Sequence, residues 1–254
     1  MIYDSLNIKI AQEQYFSNHK THFMKFIPTV VIIIVAFLST GVTAQDANSL
    51  INTHIEKTGG RENWERIDGI KMTTSVNFKG FNLPMSIIST SDGKQAMIAQ
   101  PFGQDIVLFA SDGKTSWAKN PMTLQTEKLS EDQADQMKKI SDIFPNPLLR
   151  YRKNGFVANL VGNATVGGKN TFKIELKETE SMDTTIFYLD TTTYLPVRIE
   201  KTVNNELNTI EIKAYQTIDG MVFPVKFSRN GTDAEINTIV LNPEIDQNLF
   251  KFPG

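Results

Sequence analysis

Tyr188-Leu-Asp190, Tyr194-Leu-Pro-Val-Arg198, Asp219-Gly-Met-Val-Phe-Pro224 and Ile245-Asp-Gln-Asn-Leu-Phe250 follow one another in the C-terminal third of the chain, and they recur as strand, turn, strand. Asp-Gly pairs suit tight hairpins because both residues tolerate the positive φ that such turns demand. Between the turns, apolar and polar side chains alternate with a period of two, which gives each strand one oily and one wet face. The stretch therefore predicts an antiparallel sheet with a single apolar face. In an exported protein such a face points to an oily ligand. Pro224 inside a strand marks an edge or a bulge, because proline cannot donate to a ladder.

The same pattern extends upstream. Strands are expected at 70–78, 83–90, 95–100 and 105–110, with turns at 79–82, Asp92-Gly93 and Asp112-Gly113. After Gly155 they resume at 159–165, 171–177, 184–189, 197–202, 209–215, 222–228 and 236–241, with Gly167-Gly168, Asn204-Asn205 and Asn230-Gly231 at further turns. That makes about eleven strands. A helix is expected over 47–57, with Asp46 as N-cap and Gly59-Gly60 as its stop, followed by a short helix carrying Glu62, Trp64 and Ile67. Between the two runs of strands the rhythm breaks. Residues 121–129 read as irregular, Ser130 caps a polar helix to about 140, and 143–149 is an apolar segment split by prolines. This insertion is the expected cover over the sheet. The fold class is mainly β: one curved antiparallel sheet forming an incomplete barrel with a helical lid.

Export is read from residues 24–44. Lys25 supplies a positive start, 30–38 is an apolar core of signal-peptide length, and Val42-Thr-Ala44 offers small residues before Gln45. Cleavage near Ala44 is expected. A membrane anchor is the competing reading, against which Pro28, Thr29 and Ser39-Thr-Gly41 interrupt the apolar run. Residues 1–23, with Asp4, Glu13, His19 and His22, do not resemble a signal n-region and read as an upstream extension from a misassigned start codon. Removing 44 of 254 residues leaves 210, enough for one β domain with a substantial core. The net charge is −2, and no basic stripe is present that could neutralise a row of phosphates, so nucleic acid is not an expected partner. The chain has no cysteine, which removes disulfides, thiolate chemistry and a lipid-modified N-terminus together.

Chemistry is sparse. After residue 44 only His54 remains of three histidines, so neither a Ser-His-Asp triad nor a histidine-rich metal site is expected, and His54 reads as a packed or surface residue. Glu175, Glu178 and Glu180, interleaved with lysines, and Asp132 and Asp135 on the polar helix read as solvated faces rather than a carboxylate pair for glycoside chemistry. The Asp-Gly pairs lack the alternating oxygen ligands of a calcium loop, and Gly167-Gly168-Lys169 lacks the spacing of a phosphate loop. No catalytic residue, metal or cofactor is expected.

What remains is apolar surface. Met72, Val76, Phe78, Met85, Ile87, Phe172, Ile174, Val197, Ile199, Ile210, Ile212, Phe223, Val225 and Phe227 are expected on one face of the sheet as a ligand cavity, with Phe144, Leu148 and Leu149 in the lid. Two helices cover only part of so wide a face, so either the sheet closes on its own side chains or a ligand completes the core.

Several short motifs, taken in order, are similar to those of the LolA/LolB-like envelope lipoprotein-carrier superfamily, especially the outer-membrane lipoprotein-sorting proteins of Bacteroidota. They are His54-Ile-Glu-Lys-Thr-Gly-Gly60, Asp112-Gly-Lys-Thr-Ser-Trp117, Tyr188-Leu-Asp190 with Leu195-Pro-Val-Arg198, Asp219-Gly-Met-Val-Phe-Pro224 and Leu249-Phe-Lys-Phe-Pro253. The resemblance implies a half-barrel whose cavity takes acyl chains of lipoproteins or other lipids in the periplasm of a Gram-negative bacterium. It implies a monomeric carrier working between an inner-membrane donor and an outer-membrane acceptor. Family carriers lock the lid with an arginine; Arg61 and Arg66 fall in the helical region, but no motif frames either for that role. The superfamily also holds envelope sensors, so a sensory or protein-binding module is the alternative function.

Overall fold

Period-two alternation resolves into thirteen antiparallel strands of one sheet. The computed structural model describes residues 46–78, 80–120, 123, 125–131, 133–134, 144, 146–178, 183–203 and 205–252, with the side chains of Asn77, Phe78 and Val203 excepted. The chain divides at residue 44, and the unit described runs from Gln45 to Gly254. Residues 1–45, and with them the expected signal segment, lie outside the described residues.

Helix α1 (Ala47–Lys57) starts where Asp46 accepts a hydrogen bond from the Ser49 amide at 2.7 Å, satisfying one of the orphan donors of the first turn. It turns Leu50, Ile51 and Ile55 inward, and α2 (Arg61–Glu65) follows after two glycines. Six strands then meander outward: β1 (Gly69–Phe78), β2 (Phe81–Thr90), β3 (Gln95–Ala99), β4 (Ile106–Ser111), β5 (Ser116–Lys119) and β6 (Thr126–Lys128). Short helix α3 (Pro147–Arg150), capped by the Asn146 side chain on the Leu148 amide, precedes the second meander. That meander comprises β7 (Phe156–Val166), β8 (Lys169–Glu178), β9 (Thr184–Asp190), β10 (Pro196–Val203), β11 (Glu206–Ile218), β12 (Met221–Arg229) and β13 (Thr232–Leu241).

The strand order is β6-β5-β4-β3-β2-β1-β13-β12-β11-β10-β9-β8-β7. The two meanders are thus zipped along β1 and β13, and the sheet is left open, since β6 and β7 occupy opposite edges. The connection from β6 to β7 has to travel from one edge to the other. Phe144 and Leu148 lie in that connection, and both are buried in the main core with Leu50, Ile51 and Ile55 of α1, Trp64 of α2, and Ile174, Phe187, Leu189 and Phe223 of the sheet.

Three sequence expectations change. The strand count is thirteen rather than about eleven, because β5 and β6 are only four and three residues long, too short to show a period. The segment 121–129, read as irregular, contains β6. Ile245 to Phe250 is no strand pair: Gln247–Phe250 forms a 3-10 turn capped by Asp246, which places Phe250, with Ile245 and Leu249 beside it, in a second, smaller core with Ile88, Ala96, Ile98, Ala110 and Trp117. Of the polar helix after Ser130, Glu131, Gln133 and Ala134 are helical and the rest lies outside the described residues. Pro224 is at a bulge and not at an edge: β12 is interior, and the β11–β12 register is irregular from Ile212 to Tyr215, where Tyr215 pairs with Pro224.

Candidate functional site

An apolar cavity of about 110 Å³ opens on the concave side of the second meander. Its inner end is built where α1 meets β12. The Thr58 carbonyl accepts from the Val222 amide at 3.0 Å, tying the end of the helix to the start of the strand. Gly59 sits there at φ 125°, and a Cβ on it would fall 2.4 Å from the Met221 sulfur, so both backbone shape and space require glycine. The Trp64 indole donates to Thr58 Oγ1 at 3.1 Å and meets the Phe223 ring edge-on at 5.2 Å.

His54 is buried at this inner end, with Nδ1 2.9 Å from the Tyr194 carbonyl oxygen. A carbonyl only accepts, so Nδ1 carries a proton and donates it. Burial lowers the His54 pKa to about 4, against a smaller opposing effect of the Tyr194 hydrogen bond. The turn that presents Tyr194 is made by Asp190, whose carboxylate accepts from the Thr192 and Thr193 amides at 2.8 and 3.0 Å; these bonds hold its pKa below the usual carboxylate range. Residues Tyr188 to Arg198, whose spacing marked a hairpin, thus also provide the carbonyl that fixes the imidazole.

The walls are Leu148 and Pro147 from the connection, Phe187 of β9, Pro196 and Ile199 of β10, Ile210, Ile212 and Tyr215 of β11, and Phe223 and Phe227 of β12. The Tyr215 hydroxyl donates to the Pro196 carbonyl at 2.5 Å, and burial raises its pKa. Burial is graded along the cavity. Leu148, Phe187 and Phe223 at the inner end are at most 2 % exposed, whereas Ile199, Ile210, Ile212 and Phe227 are only partly covered, as are Lys201 and Arg229 at the outer end. Among the described residues no aspartate or glutamate lines it.

Of the residues expected to line a cavity, Ile199, Ile210, Ile212, Phe223, Phe227 and the lid residue Leu148 come together around it. The others lie elsewhere. Met72, Ile174 and Val225 are buried in the main core, and Ile87 packs partly buried against it. Val76 is 44 % exposed near the end of β1, Met85 is half-buried on β2, and the Phe78 side chain lies outside the described residues. Phe172 packs partly buried against the main core, its ring 6.0 Å from that of Tyr194, and is not among the lining residues. Val197 is displaced by a register slip between Pro196 and Arg198, so that Pro196 takes the lining position. The irregular register of β11 likewise brings Tyr215, which was not expected, into the lining. Phe144 is buried in the core, and Leu149 borders a separate polar groove with Arg61, Arg150, Arg152 and Lys153. Arg66 pairs with Glu62 on α2, and Arg61 lies 3.9 Å from Glu65, both on the exposed surface.

Among the described residues no group of three or more metal-ligating side chains converges, and no helix is long and apolar enough to cross a membrane. The sequence matches no protein-family model. It also matches no curated protein. Solved structures do match. A LolA-superfamily protein of Nitrosomonas europaea superposes with a TM-score of 0.53 at 13 % identity, covering 82 % of this chain and 99 % of that one. A DUF1329-family protein of Desulfovibrio piger superposes with a TM-score of 0.51 at 11 % identity, covering 81 % and 97 %. The chain therefore has a LolA-like fold, an open curved antiparallel sheet with few helices. At these identities the likeness concerns fold alone.

Proposed function

We propose that this chain is a non-enzymatic carrier that holds an acyl chain of a lipid or lipoprotein in the concave cavity, in the periplasm, after removal of residues 24–44 as a signal. The observation that carries the reading is the cavity's graded form: apolar along its length, sealed at the inner end by Trp64, Leu148 and Phe223, and open at the outer end. A core that closed on its own side chains would leave no such space. On the measure by which one water needs about 10–15 Å³, the cavity admits roughly seven to eleven methylene-sized groups. Burying that many at about 0.8 kcal/mol each gives roughly 6–9 kcal/mol before ordering costs. Retention with release to a better acceptor is compatible with that range.

Native mass spectrometry of residues 45–254, purified from an envelope fraction without detergent, tests the reading. Discrete adducts matching lipids or acylated peptides are expected. A clean apo mass that takes up no added lipid would overturn it in favour of a sensory or protein-binding module on the same fold.

A further inference from the structure

Building on the carrier reading, we infer that the cavity selects a single-chain amphiphile with an anionic head, seated tail-first with its head at Arg229. The strand ladder orders the cavity. Gln216 pairs with Phe223, Ile212 with Phe227 and Ile210 with Arg229, so the lining runs along β12 from Phe223 at the sealed end to Arg229 at the open one. Ile199 of β10 pairs with Ile210, and Lys201 lies opposite Asn208, two residues further out. Arg229 and Lys201 therefore flank the same end of β11.

Six residues of strand from Phe223 to Arg229 span about 20 Å. One leaflet of a bilayer's hydrocarbon core is about 15 Å, so the groove is long enough for one acyl chain laid lengthwise. The tail end offers no charge, since the His54 imidazole is neutral and its Nδ1 proton is held by the Tyr194 carbonyl. The same strands distribute charge unevenly between their faces. On the convex side, acids meet bases: Glu211 with Arg198 at 2.6 Å, Asp233 with Lys213 at 2.5 Å and Glu235 with Lys226 at 2.9 Å. On the concave side Arg229 lines the open end of the cavity, and no aspartate or glutamate among the described residues lines it. A guanidinium at an apolar mouth binds carboxylate or phosphate through paired N–H groups, which a neutral head cannot use. Carboxylate and phosphate share this chemistry, and a fatty acid or a lysophospholipid-like head would each present it.

The test is titration calorimetry of residues 45–254 with four ten-carbon probes: decanoate, decyl phosphate, decanol and decyltrimethylammonium. Decanoate or decyl phosphate is expected to bind about tenfold more tightly than decanol, with the cation weakest. The tighter of the two anions identifies the head class. Arg229→Gln is expected to collapse the anion-to-decanol ratio towards one, and Arg229→Lys to restore part of it. Equal affinity for anion, alcohol and cation, or a ratio untouched by Arg229→Gln, would show that Arg229 merely rests its stem on the rim and would overturn the inference while leaving the carrier reading intact. Binding of none of the four would overturn both.

Discussion

The two meanders spend their apolar residues differently. In the second, strands of seven to thirteen residues keep a wet convex face, held by ion pairs such as Lys213–Asp233 and Lys226–Glu235, and a concave face that is partly core and partly cavity. In the first, β3 to β6 are at most six residues long, and the face opposite the main core is also covered, by Phe250 and the C-terminal turn. Most of the buried polar atoms without a partner among the described residues lie here, namely the Ser89 and Ser116 hydroxyls and the Trp117 indole N–H, against Arg198 Nε in the second meander. The lesson is that a sheet keeps room for a ligand where only one face must be buried, and fills up where both must.

Deep truncations should give the largest effects and separate the two regions. Phe223→Ala and Phe250→Ala, at residues 0 % and 2 % exposed, should each cost about 3–5 kcal/mol in urea unfolding. Only the first should also weaken lipid uptake; equal loss from both would mean that the cavity is not confined to the second meander. Charges at the mouth sharpen the contrast: Ile199→Asp and Phe227→Asp should abolish lipid adducts while the fold persists, whereas Phe172→Asp, beside Tyr194 and outside the cavity lining, should leave adducts on whatever fraction folds.

Acid should act through the cavity's inner end. His54 has its pKa lowered to about 4 from 6.5 by burial, so the unfolded chain takes up the proton first as pH falls. The stability its neutral form contributes is present above pH 6.5 and is lost between about 6.5 and 4, approaching about 3 kcal/mol. Asp92, Asp112 and Asp190, with lowered values from hydrogen bonds, add losses of the same sign only at lower pH. Urea midpoints at pH 7.5 and 5 for the wild type and His54→Gln isolate the histidine, and an identical pH response in both would contradict its burial.

Smaller effects follow at the hinge between helix and sheet and on the convex face. Gly59→Ala should cost about 1–3 kcal/mol, through its φ of 125° and the crowding against Met221. Lys213→Ala, which removes an exposed ion pair, should cost under about 1 kcal/mol and leave lipid uptake unchanged.

Much of this fold was legible because its causes are local. Asp46 and Gly59-Gly60 delimit α1 by satisfying or ending a helix at those residues, and Asp219-Gly220 turns β11 into β12 because both residues take positive φ, at 49° and 80°. The apolar alternation on β10 to β12 placed Ile199, Ile210, Ile212, Phe223 and Phe227 on one face, and that face carries the cavity. Less was legible wherever register intervened. Pro196 took the place expected for Val197, and Tyr215, which was not expected, joined the lining, since one irregular residue reverses the side of a strand. Pro224, flagged as an edge or bulge, was the one sequence signal of that slip. The pairing of β1 with β13, which sets residues about 170 positions apart side by side, and the burial of Met72 and Ile174 in the packed core have no local signature.

By itself the sequence determined an antiparallel sheet of period-two strands with two leading helices and an insertion, because period, caps and turns are properties of neighbouring residues. Tertiary structure alone decided which apolar residues became core and which were left lining a space, and that the space would be sealed at His54 and open at Arg229. The reason is physical: alternation says which side of a strand is oily, but only the packing of α1, α2 and the crossing segment against the sheet says how much of that side is already filled.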